Sequence, residues 1–171
     1  MEWRNEQGQL HRVGGPAVIS EYGSQEWYLN GQLHRVDGPA VIERNGYRAW
    51  FLNGQVHRDG GPAVIERNGY QEWWINGKHH RTDGPAIEYA NGGQEWYLHG
   101  LLHRDGGPAV IDEEGAQYWY LNGQLHRTDG PAIIDEEGAQ YWYLNGKELT
   151  QFEHWVLTGT KSTNTLITSH Y

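Results

Sequence analysis

Short runs in which apolar and polar residues alternate recur along the chain, and glycine-centred turns separate them. Residues 47–52 (YRAWFL) form one such run, rich in residues that favour β-strands. A longer stretch, residues 55–67, follows and is interrupted by Asp-Gly-Gly-Pro. Because Pro cannot donate to a strand ladder and Gly marks bulges, we expect the chain to bend there. No stretch between turns has room for a helix, so the pattern predicts consecutive β-hairpins.

The hairpin pattern repeats with a period of 23 residues and no insertion. All six prolines lie in Gly-Pro-Ala, a tryptophan recurs with the same period, and residues 112–123 return unchanged as residues 135–146, which indicates a recent duplication. Six units therefore run from about residue 9 to residue 146. The dipeptide that marks each unit is found at His11-Arg12, His34-Arg35, His57-Arg58, His80-Arg81, His103-Arg104 and His126-Arg127.

Two kinds of turn punctuate each unit. Five of the six units carry Asn-Gly, as at Asn53-Gly54, which is the strongest short signal for a type I′ hairpin turn. The second turn is built around another glycine, such as Gly46. We therefore predict an all-β fold: a single-layer antiparallel β-meander solenoid of six 23-residue hairpin repeats, closed by a short C-terminal helix.

Alternation along a strand assigns the side chains to two faces. Trp27 and Leu29 share one face with Ile42, whereas Glu26 and Tyr28 lie on the other. The first face is predicted to form an apolar core with a ladder of tryptophans, and the second is mixed.

The ends of a solenoid must be capped, and both ends of this chain depart from the repeat. Residues 1–8 are expected to be an N-terminal cap, in which Trp3 falls out of register. Residues 147–171 are expected to be a C-terminal cap, with a short helix at about 151–158 and a tail rich in Thr and Ser from residue 161.

The predicted helix has recognisable start and stop signals. Thr150 and Glu153 have the spacing of a capping box, and Gly159 is a stop signal. Leu149, Phe152, Trp155 and Val156 fall on one side at helical spacing, so we expect that side to cover the last strand edge.

Composition narrows the classes of function. The chain of 171 residues has no cysteine, which excludes disulfides and cysteine-based zinc sites or nucleophiles. A formal net charge of −9 argues against general nucleic-acid binding and against anionic membranes. No apolar run approaches the length of a membrane span, so we expect no membrane insertion and a cytoplasmic protein.

The repeat resembles a known family. Tyr-Leu-Asn-Gly-Gln-Leu-His, followed by a glycine pair and a second glycine turn at a 23-residue period, is similar to the MORN repeat over nearly all of residues 9–146. His-Arg-x-Asp-Gly-Pro-Ala replaces the family's shorter His-Gly-x-Gly, which is similar to the variants in small bacterial and bacteriophage proteins and in the YwqK-type antitoxin group. The resemblance implies a non-catalytic scaffold.

The His-Arg-Asp segment is the first candidate binding feature. Arg recognises carboxylate or phosphate with two parallel hydrogen bonds, and six such segments in register could hold a small anion such as a nucleotide. The alternative is structural, with each Arg paired to the nearby Asp or to Glu26, Glu72 or Glu95. The variable Asp spacing favours the structural role. The candidate anion-binding residues are Arg35, Arg58, Arg81, Arg104, Arg127, His34, His57, His80, His103 and His126.

No sequence feature supports catalysis, a resident metal or a cofactor. Histidines in successive units would lie about 10 Å apart, too far to share one ion. His79-His80 and the pair His99 and His103 occur once each and are weak metal candidates. We therefore expect no catalytic residue, no metal and no cofactor.

Besides the tryptophans, a second aromatic residue recurs in every unit, one position after the tryptophan, and forms a second aromatic column. It is the stronger candidate surface, because a single-layer sheet has two faces and an aromatic face is expected to be covered by something. Positions that differ between units lie on this face, at Glu26, Ala49, Glu72, Glu95, Tyr118 and Tyr141. Identical positions build the repeat, and differing ones can specify a partner. The candidate partner-binding residues are Tyr28, Phe51, Trp74, Tyr97, Tyr120, Tyr143, Tyr118 and Tyr141.

The leading hypothesis is a non-enzymatic interaction module that binds a protein partner, or itself, through this aromatic face. The alternative is a protein that sequesters a small anion such as a nucleotide. The resemblance to bacteriophage proteins implies that such a protein would oppose a host defence signal. Carbohydrate binding is a weaker third hypothesis.

Overall fold

The computed structural model describes residues 1–160, and the expected tail from residue 161 lies outside the described residues. Within these residues the chain forms one antiparallel sheet of 13 strands, flanked by five two-stranded hairpins, and one α-helix follows the last strand. The predicted all-β meander of stacked hairpin repeats with a C-terminal helix is thus confirmed. Within residues 1–160 no helix has the length and apolar character needed to cross a membrane.

The strands are short, and each repeat contributes two to the long sheet and two to a hairpin. The long sheet runs in the order β1 (Val18–Ile19), β2 (Gln25–Glu26), β5 (Val41–Ile42), β6 (Arg48–Ala49), β9 (Val64–Ile65), β10 (Gln71–Glu72), β13 (Ile87–Glu88), β14 (Gln94–Glu95), β17 (Val110–Ile111), β18 (Gln117–Tyr118), β21 (Ile133–Ile134), β22 (Gln140–Leu144) and β23 (Lys147–Leu149). The hairpins pair β3 (Tyr28–Leu29) with β4 (Gln32–Leu33), β7 (Phe51–Leu52) with β8 (Gln55–Val56), β11 (Trp74–Ile75) with β12 (Lys78–His79), β15 (Tyr97–Leu98) with β16 (Leu101–Leu102) and β19 (Tyr120–Leu121) with β20 (Gln124–Leu125).

The turns have the backbone geometry that their residues predict. In the hairpin turn Asn53 has φ of 50° and Gly54 has φ of 79°, the two positive values that a type I′ turn requires. In the long sheet Gly46 is the last residue of a three-residue loop and has φ of 97°. Its N–H donates to the Glu43 carbonyl, which closes the loop. A glycine with positive φ lies in each of these turns, preceded by asparagine in every hairpin turn except the one at His99-Gly100.

One stacked arrangement recurs at the bend of every repeat. The Arg35 guanidinium carbon lies 4.0 Å from the centre of the Trp27 ring, and an Arg35 N–H donates to the Pro39 carbonyl at 3.2 Å. A β-carbon on Gly38 would lie only 3.0 Å from that guanidinium carbon, so the glycine lets the arginine approach. The six stacked pairs are Arg12 on Trp3, Arg35 on Trp27, Arg58 on Trp50, Arg81 on Trp73, Arg104 on Trp96 and Arg127 on Trp119.

Backbone hydrogen bonds join each repeat to the next. The N–H of Trp27 donates to the Ala40 carbonyl at 2.8 Å, and the N–H of Arg35 donates to the Phe51 carbonyl at 3.0 Å. Equivalent bonds recur along the chain, so both the long sheet and the row of hairpins are continuous through the stack.

The buried positions differ from the predicted tryptophan core. The alanines of the Gly-Pro-Ala segments are fully buried, together with Ala49 and Ala116, whereas the tryptophans are only half-buried beneath their arginines. Val64 and Ile87 are buried on the face predicted to be mixed. The prediction of a Trp/Leu/Ile core was wrong because each tryptophan lies at the bend between two strands, where a planar cation rather than an apolar residue covers its ring.

Trp3 takes the place of a repeat tryptophan despite its shifted position in the sequence. Its N–H donates to the Ala17 carbonyl at 2.9 Å, its carbonyl accepts from His11, and Arg12 stacks on its ring at 3.8 Å. A one-residue-longer turn around Gly8 absorbs the offset. The N-terminus therefore contributes a partial repeat to the stack.

The C-terminal helix, α1 (Gln151–Thr158), begins and ends as the sequence predicts. The Thr150 side chain accepts from the Glu153 N–H, the Glu153 carboxylate accepts from the Thr150 N–H, and Gly159 adopts the left-handed conformation with φ of 71°. These contacts are the capping box and glycine stop expected from the sequence.

The buried side of this helix differs from the predicted one. Phe152 and Val156 are 71% and 66% exposed, whereas His154 is fully buried. The His154 ring lies 4.9 Å from that of Trp142, and its Nε2 lies 2.7 Å from the Arg127 carbonyl oxygen. Thr150 stands where a repeat would have its arginine, so His154 covers the last tryptophan instead.

Replacement of Arg81 by alanine is expected to destabilise the fold by about 2 kcal/mol, because a cation–π contact and a charge-assisted hydrogen bond are lost. Gly84→Ala should cost about 1 to 2 kcal/mol in the wild type, because the new β-carbon would lie 2.8 Å from the Arg81 guanidinium carbon. In an Arg81→Ala background the Gly84→Ala cost should vanish. Urea denaturation of the four proteins measures the coupling, and additive effects would contradict the stacked arrangement.

His154→Ala is expected to lower stability by about 2 kcal/mol, because a buried ring and its hydrogen bond are removed. Phe152→Ala in the same helix is the matched control and should change stability by no more than about 0.5 kcal/mol. Thermal unfolding followed by circular dichroism tests both variants. A larger effect at Phe152 than at His154 would contradict the observed orientation of the helix.

Candidate partner-binding face

The eight aromatic residues proposed as partner-binding lie on one face of the stack. Tyr28, Phe51, Trp74, Tyr97 and Tyr120 begin the first strand of successive hairpins, and Tyr143 holds the equivalent place in β22. Tyr118 and Tyr141 lie in the long sheet, two residues before the hairpin aromatic of their own repeat. All eight are partly exposed, Tyr141 most clearly at 41%.

Carboxylates stand beside these rings and mark the shared face. The Trp74 indole N–H donates to the Glu72 carboxylate, two residues earlier in the chain. Glu26 and Glu95 stand in the same relation to Tyr28 and Tyr97. Side chains two positions apart therefore meet across the bend, and the long sheet and the hairpins present one continuous aromatic and acidic surface.

The densest part of this face lies in the third and fourth repeats. Glu72 accepts hydrogen bonds from the Tyr70 hydroxyl and the Trp74 indole, and His79 Nε2 lies 3.1 Å from its second oxygen. The His79 ring is 3.7 Å from that of Trp74 and 5.0 Å from that of Tyr97. Repeats with smaller residues at these positions lack this arrangement.

Burial and neighbouring carboxylates together shift the pKa values of the tyrosines on this face. Burial and the neighbouring Glu26 raise the pKa of Tyr28 to about 12, and burial and Glu95 raise the pKa of Tyr89 to about 12. Burial alone would raise the pKa of Glu72, but hydrogen bonds from His79, Tyr70 and Trp74 outweigh it and lower that pKa. At neutral pH the tyrosines are therefore neutral donors and Glu72 is a half-buried anion.

The repeat pattern alone does not identify several residues of this dense region. By its spacing His79 is only a weak metal candidate, and the pattern does not select Tyr47, Tyr70 or Tyr89. The sequence does contain a signal, because His79 interrupts a repeat position that is otherwise apolar. The other repeats have Leu33, Val56, Leu102 or Leu125 there. Tyr89 likewise stands where neighbouring repeats have an acidic residue.

The candidate anion-binding arginines have internal partners. Each of Arg35, Arg58, Arg81, Arg104 and Arg127 stacks on a tryptophan and donates to a proline carbonyl. Open grooves remain between successive stacks, and one of about 550 Å³ is lined by residues that include Arg35, Trp50 and Arg58. These contacts support the structural interpretation of the His-Arg-Asp segment.

The spacing between the arginine and the following aspartate decides whether the aspartate contacts the arginine or the histidine. An aspartate two residues after the arginine pairs with it, as Asp83 Oδ1 does with Arg81 Nε at 2.9 Å. An aspartate one residue after it lies near the histidine instead, with Asp59 Oδ2 3.5 Å from His57 Nε2. The expected pairing of arginines with Glu26, Glu72 or Glu95 is not observed within residues 1–160, where Glu88 is the glutamate that joins Arg81.

The candidate anion-binding histidines hold the next hairpin turn. His34 Nδ1 accepts the backbone N–H of Asn53 at 3.2 Å, and the same contact recurs from His57 to Asn76, from His103 to Asn122 and from His126 to Asn145. His80 makes it to His99, whose ring lies 4.5 Å away. Each of these imidazoles therefore joins its own repeat to the turn of the next one, and His34 Nδ1 also lies 2.9 Å from Asn53 Oδ1.

Comparison with known proteins adds no identification. No model of a protein family matches the chain, and no curated protein matches it significantly. The likeness to the MORN repeat stays a resemblance. In the part of the chain that the structure describes, no three His, Asp or Glu side chains converge to hold a metal ion.

Acidification is expected to destabilise the protein through His80. Burial, with repulsion from His99, lowers the pKa of His80 in the folded state, so the unfolded chain binds a proton more readily. The stability contribution is complete above about pH 6.5 and is lost as the pH falls below that value.

His99→Asn restores the residue of the other turns and removes the repulsion. Its melting temperature should therefore fall less between pH 7 and pH 5 than that of the wild type, with a difference on the order of 1 °C. Differential scanning calorimetry at both pH values measures it. Identical pH dependence in the two proteins would contradict the role of the His80–His99 pair.

Proposed function

We propose that this chain is a non-catalytic interaction module that binds a protein partner, or a second copy of itself, through its aromatic face. The observation that carries the proposal is the aromatic column, which runs through every repeat and is partly exposed. Within residues 1–160, the only helix packs against the last two strands rather than over this face. Large contiguous aromatic surfaces rarely stay uncovered in solution.

The distribution of variable residues supports the same face. The stacked Arg-Trp pairs and the turn residues are nearly the same in each unit, whereas the positions of Ala49, Glu72 and Tyr118 differ. Tyrosine and tryptophan are also enriched at protein interfaces. A rigid scaffold with one varied aromatic face is well suited to recognise one particular partner. The proposal retains the expectation of a cytoplasmic protein of bacterial or bacteriophage type.

Sequestration of a small anion has weaker support. Its candidate arginines are already stacked and hydrogen-bonded within the chain, so an anion in the grooves would have to compete with the proline carbonyls. Carbohydrate binding has the exposed aromatic rings in its favour and no further observation. The interaction module is therefore the function we put forward.

Photo-crosslinking tests the proposal. A benzoyl-phenylalanine introduced at Tyr141, which is 41% exposed on the aromatic face, is expected to capture a partner polypeptide or a second copy in a lysate of the natural host. The matched control is the same group at Arg48, an exposed residue adjacent in β6 to the buried Ala49 and thus on the opposite face. Crosslinks from Arg48 with none from Tyr141 would contradict the proposal.

A further inference from the structure

Two carboxylates lie at the centre of the aromatic face. Glu72 and Glu95 are both paired with Ile87, which lies on the strand between theirs. Two strand spacings separate their backbones, about 10 Å. Ile87 is only 5% exposed and forms an apolar floor between the two acids.

Aromatic rings stand at both ends of this floor. At the turn end the rings of Tyr70 and Tyr89 are 5.5 Å apart, and the Tyr89 hydroxyl donates to Glu95 at 2.9 Å. At the hairpin end Trp74, His79 and Tyr97 follow one another in contact. We call this group the acidic aromatic cluster, and its members are Tyr70, Glu72, Trp74, His79, Tyr89, Glu95 and Tyr97.

The cluster holds two carboxylates, and His79 is its one basic residue. The Glu72 side chain is 16% exposed, and its hydrogen-bond donors are a phenol, an indole and an imidazole. Within residues 1–160 no arginine or lysine forms an ion pair with Glu72 or Glu95. The phenol and indole donors bring no charge, and a protonated His79 would offset only one of the two carboxylates, so the net charge between the rings stays negative.

Negative potential between aromatic faces selects a particular ligand chemistry. Ammonium and guanidinium groups are attracted both by carboxylates and by the faces of Trp and Tyr. The chain as a whole carries a formal net charge of −9, which favours a basic partner over an acidic one. The observations therefore favour a cation over an anion or an apolar side chain.

We propose that the acidic aromatic cluster receives a lysine or arginine side chain of the protein partner. This inference rests on the proposed function, since it names the chemistry that the aromatic face would recognise. The basic side chain would lie across Ile87, with its cationic group between Glu72 and Glu95 and its stem against the flanking rings. Its arrival would balance the negative charge that remains on the cluster.

The test uses N-acetyl-arginine amide and N-acetyl-lysine amide as probes on the full chain, with N-acetyl-citrulline amide as the uncharged analogue. Binding is followed by NMR through the indole N–H of Trp74. We expect saturable shifts with the two cationic probes and none with the citrulline probe. Glu95→Gln should weaken binding at least tenfold.

Glu26→Gln is the matched control, because Glu26 occupies the same column but has Ser24 and Leu33 where Glu72 has Tyr70 and His79. It should leave binding unchanged. His79→Leu restores the residue of other repeats, and it should weaken binding while the fold is kept. Its circular dichroism spectrum verifies the fold.

Several outcomes would overturn the inference. They are equal binding of citrulline and arginine probes, the absence of shifts at Trp74 in the wild type, and equal losses in Glu95→Gln and Glu26→Gln. Spermidine binding at least a hundredfold tighter than the arginine probe would assign the cluster to a free polycation and would also overturn it. If Tyr141 still captures a partner while the cationic probes fail, the inference fails and the proposed function stands.

Discussion

The stacking of an arginine on a tryptophan is the interaction on which the rest of this structure depends. The tryptophan lies where the chain leaves the long sheet for a hairpin, and the proline carbonyl that binds the same arginine lies where the chain returns. One side chain therefore holds both bends of a repeat, with Gly38 and its equivalents giving it room. This explains how a chain with only 37% hydrophobic residues stays folded: its fully buried apolar side chains are alanines, and planar contacts at the bends take the place of a thick core.

Much of the fold follows from the sequence because its determinants are local. The 23-residue period, the type I′ turn at Asn53-Gly54 and the capping box at Thr150 each depend on residues a few positions apart. The buried side of the C-terminal helix does not depend on local residues. It is set by contacts of His154 with Trp142 and with the Arg127 carbonyl, which are distant in sequence. The placement of Trp3 was missed for a related reason, since a turn can absorb one extra residue that strict periodicity counts as an error.

The candidate site shows the same limit. Alternation within a strand correctly assigns Tyr28 and Glu26 to one face, and the aromatic column follows from the period. The convergence of Tyr70, Glu72 and His79 depends on how three separate segments meet across a bend, which no periodicity encodes. The units of a repeat sequence can nevertheless be compared with one another. Residues that differ from those at the same position in the other units, such as His79 and Tyr89, mark the unit that has been specialised.

The C-terminal helix is anchored to features that every unit possesses, namely a tryptophan ring and an arginine carbonyl. An end built in this way is indifferent to how many units precede it. Gene duplication could therefore lengthen or shorten the molecule one unit at a time without a new terminus having to evolve. The identical segments 112–123 and 135–146, which lie next to that end, are the trace such an event would leave. The extent of the surface and the chemistry of its central repeats are thus free to evolve separately.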